Sequence, residues 1–398
     1  GKAKWRRFTN KVTLAVTQDL PFITKGLKLR AQIAYDSESY LKEIRKVLPE
    51  MYYASGRTVD GTLIMRKVVD AQTATYNKDE QWNKLHFEST LNYDRAFGDH
   101  RVGGLVYYYM SSYQSTWCDI HGYNCNVNVD NVPKRYQGLS GRLTYGFRDT
   151  YMIDLNFGYT GSENFQKGRR FGFFPSVALG WVPTNYDFVR ETLPWLSFLK
   201  IRGSWGSVGN DRITNKRFPY LTIMNENANK GWNGSSGVTE QSVGADNLQW
   251  EKAIKLDLGI EGKLFNEQVD FTVDFFRDTR NDIFQQRTMV PDYIGLAEQP
   301  FGNVGSMVSY GADGNISFTQ DIGKDFSFTL RGNFTYTANM VKNWEEAFQK
   351  YSYQERADKP YEYYAGYIAL GLFRDEDDVK FSPDQSGIAG RKVLPGDI

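Results

Sequence analysis

The feature that most constrains this chain is a two-residue alternation of apolar and polar side chains, sustained over unusually long runs. Leu27, Leu29, Ala31, Ile33 and Tyr35 alternate with Lys28, Arg30, Gln32 and Asp36. Leu85, Phe87, Leu91 and Tyr93 alternate with His86, Glu88, Thr90, Asn92 and Asp94, and Tyr151, Ile153, Leu155, Phe157 and Tyr159 with Asp154, Asn156 and Thr160. The same rhythm returns at Leu256, Leu258 and Ile260, at Val269, Phe271, Val273 and Phe275, and at Phe326, Phe328, Leu330, Phe334 and Tyr336. Successive side chains of a strand point to opposite faces, so each run is a strand with one apolar and one polar surface.

The connections decide how such strands are arranged. Short ones fall at residues 21–26, 97–101, 147–150, 266–268 and 322–325, with a longer one at 183–198. Between them lie long ones at 37–83, 113–136, 161–170, 209–252 and 280–304. Short and long alternate without exception. Antiparallel up-and-down strands would then gather every short turn at one end and every long loop at the other, the asymmetry of an outer-membrane barrel. The count is about twelve strands of roughly 10 to 14 residues, long enough to cross a bilayer at a tilt. The sequence therefore predicts an all-β fold, an antiparallel up-and-down transmembrane β-barrel segment.

A soluble sandwich or propeller also alternates, because one sheet face packs while the other meets water. Its strands average only about 5 to 6 residues, however. Aromatic residues number 26 Tyr, 26 Phe and 9 Trp, 15% of the chain. Many stand near predicted strand ends (Tyr35, Phe97, Tyr145, Phe147, Tyr151, Trp181, Phe265), where a membrane barrel carries its interfacial girdles. No repeat of fixed period is visible, which weighs against a propeller. A formal charge of +1 excludes strongly electrostatic nucleic-acid binding.

Little in the chain points to catalysis. Of three histidines, His86 lies on the polar face of a strand, His100 at a turn and His121 in a loop, none in a recognisable nucleophilic arrangement. The glycine-rich pieces 206–209 and 231–237 lack the Lys-Ser/Thr of a phosphate loop. No cofactor motif is present. Cys118 and Cys125 flank His121 in one long loop. A structural zinc site needs a fourth ligand, whereas a local disulfide is the simpler outcome in an oxidising outer compartment, so a Cys118–Cys125 disulfide is expected and no metal. The acidic run Asp375-Glu376-Asp377-Asp378 lacks the glycine and terminal Glu of a calcium loop and reads as solvated loop. Exposed loop aromatics are the candidate cargo contacts: Tyr113, Trp117, Tyr123, Trp232 and Tyr293. Aromatic faces stack on sugars or grip peptide side chains, although packing of loop on loop uses the same residues.

Particular strings then resemble a known family. They are Asp19-Leu20-Pro21-Phe22-Ile23-Thr24-Lys25-Gly26-Leu27, Gly141-Arg142-Leu143-Thr144-Tyr145, and Arg170-Phe171-Gly172-Phe173-Phe174-Pro175-Ser176 with Leu179-Gly180-Trp181. Leu199-Lys200-Ile201-Arg202-Gly203-Ser204-Trp205-Gly206, Gly209-Asn210, Asn247-Leu248-Gln249-Trp250-Glu251, Asn303-Val304-Gly305-Ser306-Met307, Leu370-Gly371-Leu372-Phe373 and Pro395-Gly396-Asp397-Ile398 follow in order. In content and order they are similar to the SusC/RagA-type TonB-dependent outer-membrane transporters of Bacteroidetes.

The resemblance implies a larger, 22-stranded barrel filled by an N-terminal plug, located in the Gram-negative outer membrane and energised by the TonB complex. It also implies import of oligosaccharides or peptides under a SusD-like surface lipoprotein that acts as a lid. On this reading residues 1–398 are barrel wall with long extracellular loops, and the plug and the C-terminal strands are absent from this chain. Its partners are then the lipoprotein, TonB, the cargo and outer-membrane lipid, with no nucleic acid and no enzymatic activity. A passive porin and a secreted all-β carbohydrate-binding protein remain as alternatives.

Overall fold

The structure, a computed structural model, describes residues 2–118, 132–212, 218–227, 236–245, 247–323, 325–364, 366, 368, 371–385, 387 and 390–397. In chain order the strands begin with β1 (Lys2–Asp19), β2 (Leu27–Leu48), β3 (Met51–Arg57), β4 (Leu63–Val69), β5 (Gln72–Phe97) and β6 (His100–Cys118). Then come β7 (Lys134–Phe147), β8 (Tyr151–Ser162), β9 (Phe171–Trp181), helix α1 (Asp187–Thr192) and β10 (Leu196–Asn210). The series closes with β11 (Ile223–Asn227), β12 (Gly237–Ser242), β13 (Glu251–Leu264), β14 (Val269–Gln286), β15 (Phe301–Ile322), β16 (Phe326–Asn343) and helix α2 (Glu376–Phe381).

Twelve strands form one sheet in the order β1-β2-β5-β6-β7-β8-β9-β10-β13-β14-β15-β16. Every neighbour is antiparallel and next along the chain, once the hairpins β3–β4 and β11–β12 are set aside as separate two-stranded sheets in the loops. The strand count, the up-and-down order and the alternation of turns with loops are as the sequence predicts. Among the described residues β1 and β16 are not paired with each other, so the sheet is open. The outer end of β16 is bonded on its far side, where Val341 exchanges backbone hydrogen bonds of 2.8 Å with residues 358–359.

Register carries the alternation across the whole sheet. Ile33 pairs with Phe87, Phe87 with Met110, Leu139 with Tyr159, and Tyr159 with Phe173, so one face is continuously apolar. On the far side Leu258 pairs with Phe275, Phe275 with Ala312, and Ala312 with Tyr336, extending the same face. Leu258, Phe275 and Tyr336 are each at least half exposed. Such a surface is stable only against lipid, and we term it the outer face. Polar residues occupy the other, inner face. Among the described residues no helix is long and apolar enough to cross a membrane, so any crossing is made by strands.

At the short-turn end the hairpins are tight. Arg148 and Asp149 both take positive φ, 51° and 49°, the mirror-image turn geometry whose twist matches the flanking strands. Arg148 also reaches the neighbouring turn, pairing through Nε with Asp99 at 2.7 Å. The longer β9–β10 connection is ordered by a 3-10 turn at Pro183–Asn185 and by α1. The Asn185 side-chain amide donates to the Asp149 carbonyl at 3.0 Å, which fastens this connection to the adjacent hairpin. Phe97, Phe147, Tyr151, Trp181 and Phe265 ring this end, as a girdle requires. Tyr35 does not join them, because β2 carries it well up the wall from its turn.

At the long-loop end several stretches read as loop contain structure, among them 209–252, which holds the hairpin β11–β12. Residues 37–83 are mostly strand: β2 and β5 stay paired out to Leu48 and Gln72 and carry the hairpin β3–β4 beyond. The 113–136 connection is shorter than expected, because β6 runs to Cys118 and β7 starts at Lys134. The acidic run at 375–378 is a helix start, with Asp375 capping α2 by accepting from the Asp378 amide at 2.8 Å.

A compact core fastens the loops to the sheet. Phe165 and Leu248 are fully buried, Trp250, Ala245 and Phe284 nearly so, and Phe174 and Phe301 pack against them. Phe165 and Trp250 lie 5.0 Å apart, Trp250 meets Phe174 edge-on at 5.4 Å, and Phe284 stacks on Phe301 at 4.9 Å. The indole N–H donates to the Arg170 carbonyl at 3.2 Å. Glu251, 7% exposed, accepts from Asn210 at 2.8 Å and from the Phe284 amide at 2.9 Å. Phe174 reaches this core because Gly209 has no side chain: a Cβ there would lie 2.0 Å from the ring. Gly209→Val should therefore expel Phe174 and speed amide exchange across residues 243–250, while the sheet below keeps its protection. Unchanged exchange in those residues would count against this packing.

Candidate functional site

The inner face offers the wall along which a solute would pass, and it is furnished from the short-turn end upward. Lowest is an ion cluster on β10, β13 and β14. Arg202 donates from Nε to Glu261 at 2.8 Å, from Nη1 to Asp257 at 3.2 Å and from Nη2 to Asp274 at 2.8 Å, and Lys200 lies 3.3 Å from Glu261. The register explains the reach. Arg202 pairs with Gly259, and Gly259 with Asp274, so the guanidinium crosses a strand that carries no side chain at that point. A Cβ on Gly259 would stand 2.3 Å from an Asp274 oxygen and 2.7 Å from the Arg202 Nε.

Next along the wall, Arg142 holds Asp154 through two parallel hydrogen bonds, and Asn156 donates to the same carboxylate at 3.0 Å. Higher, Glu88 accepts from the Tyr107 hydroxyl at 3.1 Å, with the His86 ring at 3.2 Å. The Tyr107 and Tyr109 rings stack at 5.6 Å, and the Tyr109 ring covers Gly138. These groups make a wet, polar surface on strands that are apolar behind.

Above the bilayer the inner face changes character. β1, β2, β5 and β6 continue past the length a membrane needs. Here Arg7 bonds Glu38 at 2.8 Å, Thr9 is 3.5 Å from the same carboxylate, and Trp82 lies beside Tyr113 with ring centroids 6.0 Å apart at 31°. A carboxylate, a guanidinium, an indole and a phenol thus share one wall at the mouth. Side chains of these kinds can hydrogen-bond and stack on polar solutes.

Among the sequence candidates, Tyr113 belongs to this wall, in strand β6 rather than in a loop, paired with Lys84 and Lys134. Trp117 and Cys118 extend the same strand, their backbones pairing with Glu80 and Asp79. Tyr123, Trp232 and Cys125 lie outside the described residues, and with them the expected Cys118–Cys125 disulfide. Tyr293 stands apart in the 3-10 turn Asp292–Ile294 and is 89% exposed. Trp82 and Glu38 were not among the candidates, because residues 37–83 read as a connection. Continuing the inward alternation from Glu88 through His86 and Lys84 leads directly to Trp82.

The hairpin β3–β4 stands clear of the sheet, with Met51, Tyr53, Ile64, Met65 and Val68 exposed. Its tip closes where the Thr58 amide donates to the Thr62 carbonyl at 2.9 Å, with Gly61 at φ 88° between them. The Thr58 hydroxyl, foremost among the local donors, holds the Asp60 carboxyl below its usual range. Among the described residues no group of three or more His, Cys, Asp or Glu side chains has a metal-binding arrangement.

This architecture defines an outer-membrane barrel wall, and the chain belongs to the family described as TonB dependent receptor-like, beta-barrel, whose model matches residues 5–379. Its relatives place it with the SusC/RagA type in the outer membrane. TonB-dependent receptor P39 of Formosa agariphila is 26% identical over 317 residues, 75% of this chain and 30% of that protein. TonB-dependent receptor SusC of Bacteroides thetaiotaomicron is 30% identical over 224 residues, 55% of this chain and 22% of that protein. The fold is shared with a chain of the RagAB peptide importer in its closed-closed state: TM-score 0.64, 20% identity, 88% of this chain and 38% of that chain covered. The chain thus spans about a third or less of the length of these relatives.

Because Arg202 alone joins Asp257, Glu261 and Asp274, blocking its path strands a charge on a half-buried wall. Gly259→Val should lower thermal stability in detergent by about 2 kcal/mol, the scale of a lost charge-assisted hydrogen bond with its desolvation. Gly203→Val, on the outer face where nothing crowds within 3.8 Å, should stay within about 0.5 kcal/mol. Equal effects would remove the ion cluster as the cause.

Proposed function

We propose that this chain is part of the wall of a TonB-dependent outer-membrane importer that takes up oligosaccharides or peptides. The observation that carries this reading is the change along the inner face. Polar and ionic groups line the bilayer-spanning height, and an aromatic pair with an ion pair, Trp82–Tyr113 and Arg7–Glu38, stands at the outer mouth. Capture then precedes passage. Cargo stacks at the mouth, where an indole and a phenol offer flat apolar area, and moves down a surface whose charges are already paired and so hold it weakly.

The rest of the machine is part of the same proposal. Open edges in lipid leave backbone groups without partners, at several kcal/mol each, so β1 and β16 require further strands. A barrel of twenty-two strands with an N-terminal plug, energised by the TonB complex, meets that requirement, and the partial coverage of the longer relatives supports it. A SusD-like surface lipoprotein serves as the lid. The projecting hairpin β3–β4, apolar and exposed, is the surface we assign to it.

Alanine at Trp82 and Tyr113 together should lower cargo affinity and uptake about tenfold, the sum of two lost aromatic contacts of roughly 0.5 to 1 kcal/mol each. The heat-shifted migration of the folded barrel should be unchanged. Uptake by the unaltered protein should vanish in cells lacking TonB. Uptake that survives without TonB would make the protein a passive porin, and unaltered affinity in the double variant would move capture to another wall.

A further inference from the structure

We infer that the outer face carries a binding site for a phosphate-bearing lipid of the outer leaflet, at the top of strands β5 to β9. A cavity of about 310 Å³ opens there, lined on its outward side by Leu85, Phe87, Met110 and Phe171. These four residues belong to the apolar, lipid-facing register, and Leu85 and Met110 are more than 40% exposed. Phe171 lies flat across Gly161 and stacks on Tyr159 at 5.0 Å, so the groove is walled by rings and floored by backbone.

Two cations line it. Arg135 is in the outward register of β7, paired with Ser112 on β6, and Arg170, in the inward register just before β9, borders the cavity from the side of the loop core. From Arg135 down to Phe147 of the short-turn girdle the tilted strand rises roughly 30 Å, the thickness of the hydrocarbon layer. Arg135 therefore stands at the height of the outer headgroups, with the apolar groove immediately below. Among the described residues neither guanidinium is in an ion pair: Arg170 donates from Nε to the Phe165 carbonyl at 3.2 Å, and only the backbone amide of Arg135 is bonded, to Glu163 at 3.3 Å. Glu163 also lines the cavity, which leaves a net single positive charge along it.

That combination matches a lipid with an anionic headgroup. Guanidinium groups form charge-assisted, two-pronged hydrogen bonds to phosphate oxygens, and an acyl chain fills an apolar groove. Basic pockets at the edge of the hydrocarbon layer select such lipids from the bulk. A protein partner would need the groove to stand clear of the membrane, whereas it lies on the lipid-facing register. Cargo is excluded for the same reason, since it travels along the opposite face.

The test is the lipid that stays with the full-length protein after extraction in a mild detergent, counted by native mass spectrometry. Arg135→Gln with Arg170→Gln should carry at least fivefold less phosphorylated lipid than the unaltered protein. Arg148→Gln, at the other end of the wall, should carry the same amount. Met110→Trp fills the groove while keeping both arginines and should lose the lipid equally, so a poorly folding arginine variant does not leave the question open. A benzophenone attached at position 110 should cross-link to lipid. Full lipid retention by both groove variants would overturn the assignment, as would cross-links to protein alone.

Discussion

Within the hydrocarbon of a bilayer no water can pair with a backbone N–H or C=O, and every spanning strand must find both its neighbours. In this chain the twelve-stranded sheet meets that demand along ten shared interior strands, and the side chains are free to serve two solvents at once. Register binds the two roles together. Shifting any one strand by a single residue would turn its charges to lipid and its aromatics to water, so the alternation of sequence and the pairing of backbone enforce each other. The Arg202 cluster depends on the same register, because its guanidinium reaches Asp274 only where Gly259 falls between them.

The outer loops are held by a different principle. The core around Phe165, Leu248 and Trp250 is an ordinary dry, aromatic packing on top of a wet wall. Part of it comes from strings that resemble the SusC/RagA type: Phe174, Leu248 and Trp250 in the core itself, and around it Arg170, Asn210, Glu251 and Asn303, the last donating to the Gln249 carbonyl at 2.9 Å and the Asp282 carbonyl at 2.7 Å. These four strings are scattered along the chain but meet at one point, together with Phe165, Ala245, Phe284 and Phe301 from outside them. The loop hairpins β3–β4 and β11–β12 contain none of these strings.

Much of the fold was legible because a period of two is a direct image of a pleated strand, and because long loops and short turns differ in length. The legible part stops where that signal changes meaning. Residues 37–83 leave the membrane but stay paired, and once both faces are solvated the contrast between them fades, which hid Trp82 and Glu38. The Arg148-Asp149 turn carries no glycine to mark its positive φ values, and its ion pair to Asp99 comes from a neighbouring hairpin. Tyr113 was legible as an aromatic near the mouth. Its partner was not, since Trp82, opposite Ser115, reaches the Tyr113 ring only diagonally through the register of β5 with β6.

The central claim is that one face of the sheet meets lipid and the other meets water, and single cysteines along β13, introduced after replacing the native pair, test it most directly. In the outer membrane of intact cells, positions 257, 261 and 263 should react with a water-soluble maleimide that enters the lumen. Positions 256, 258 and 260 should react only with a reagent dissolved in the bilayer. Equal reaction of both sets with the water-soluble reagent would mean a sheet with two wet faces, and the barrel account would be wrong.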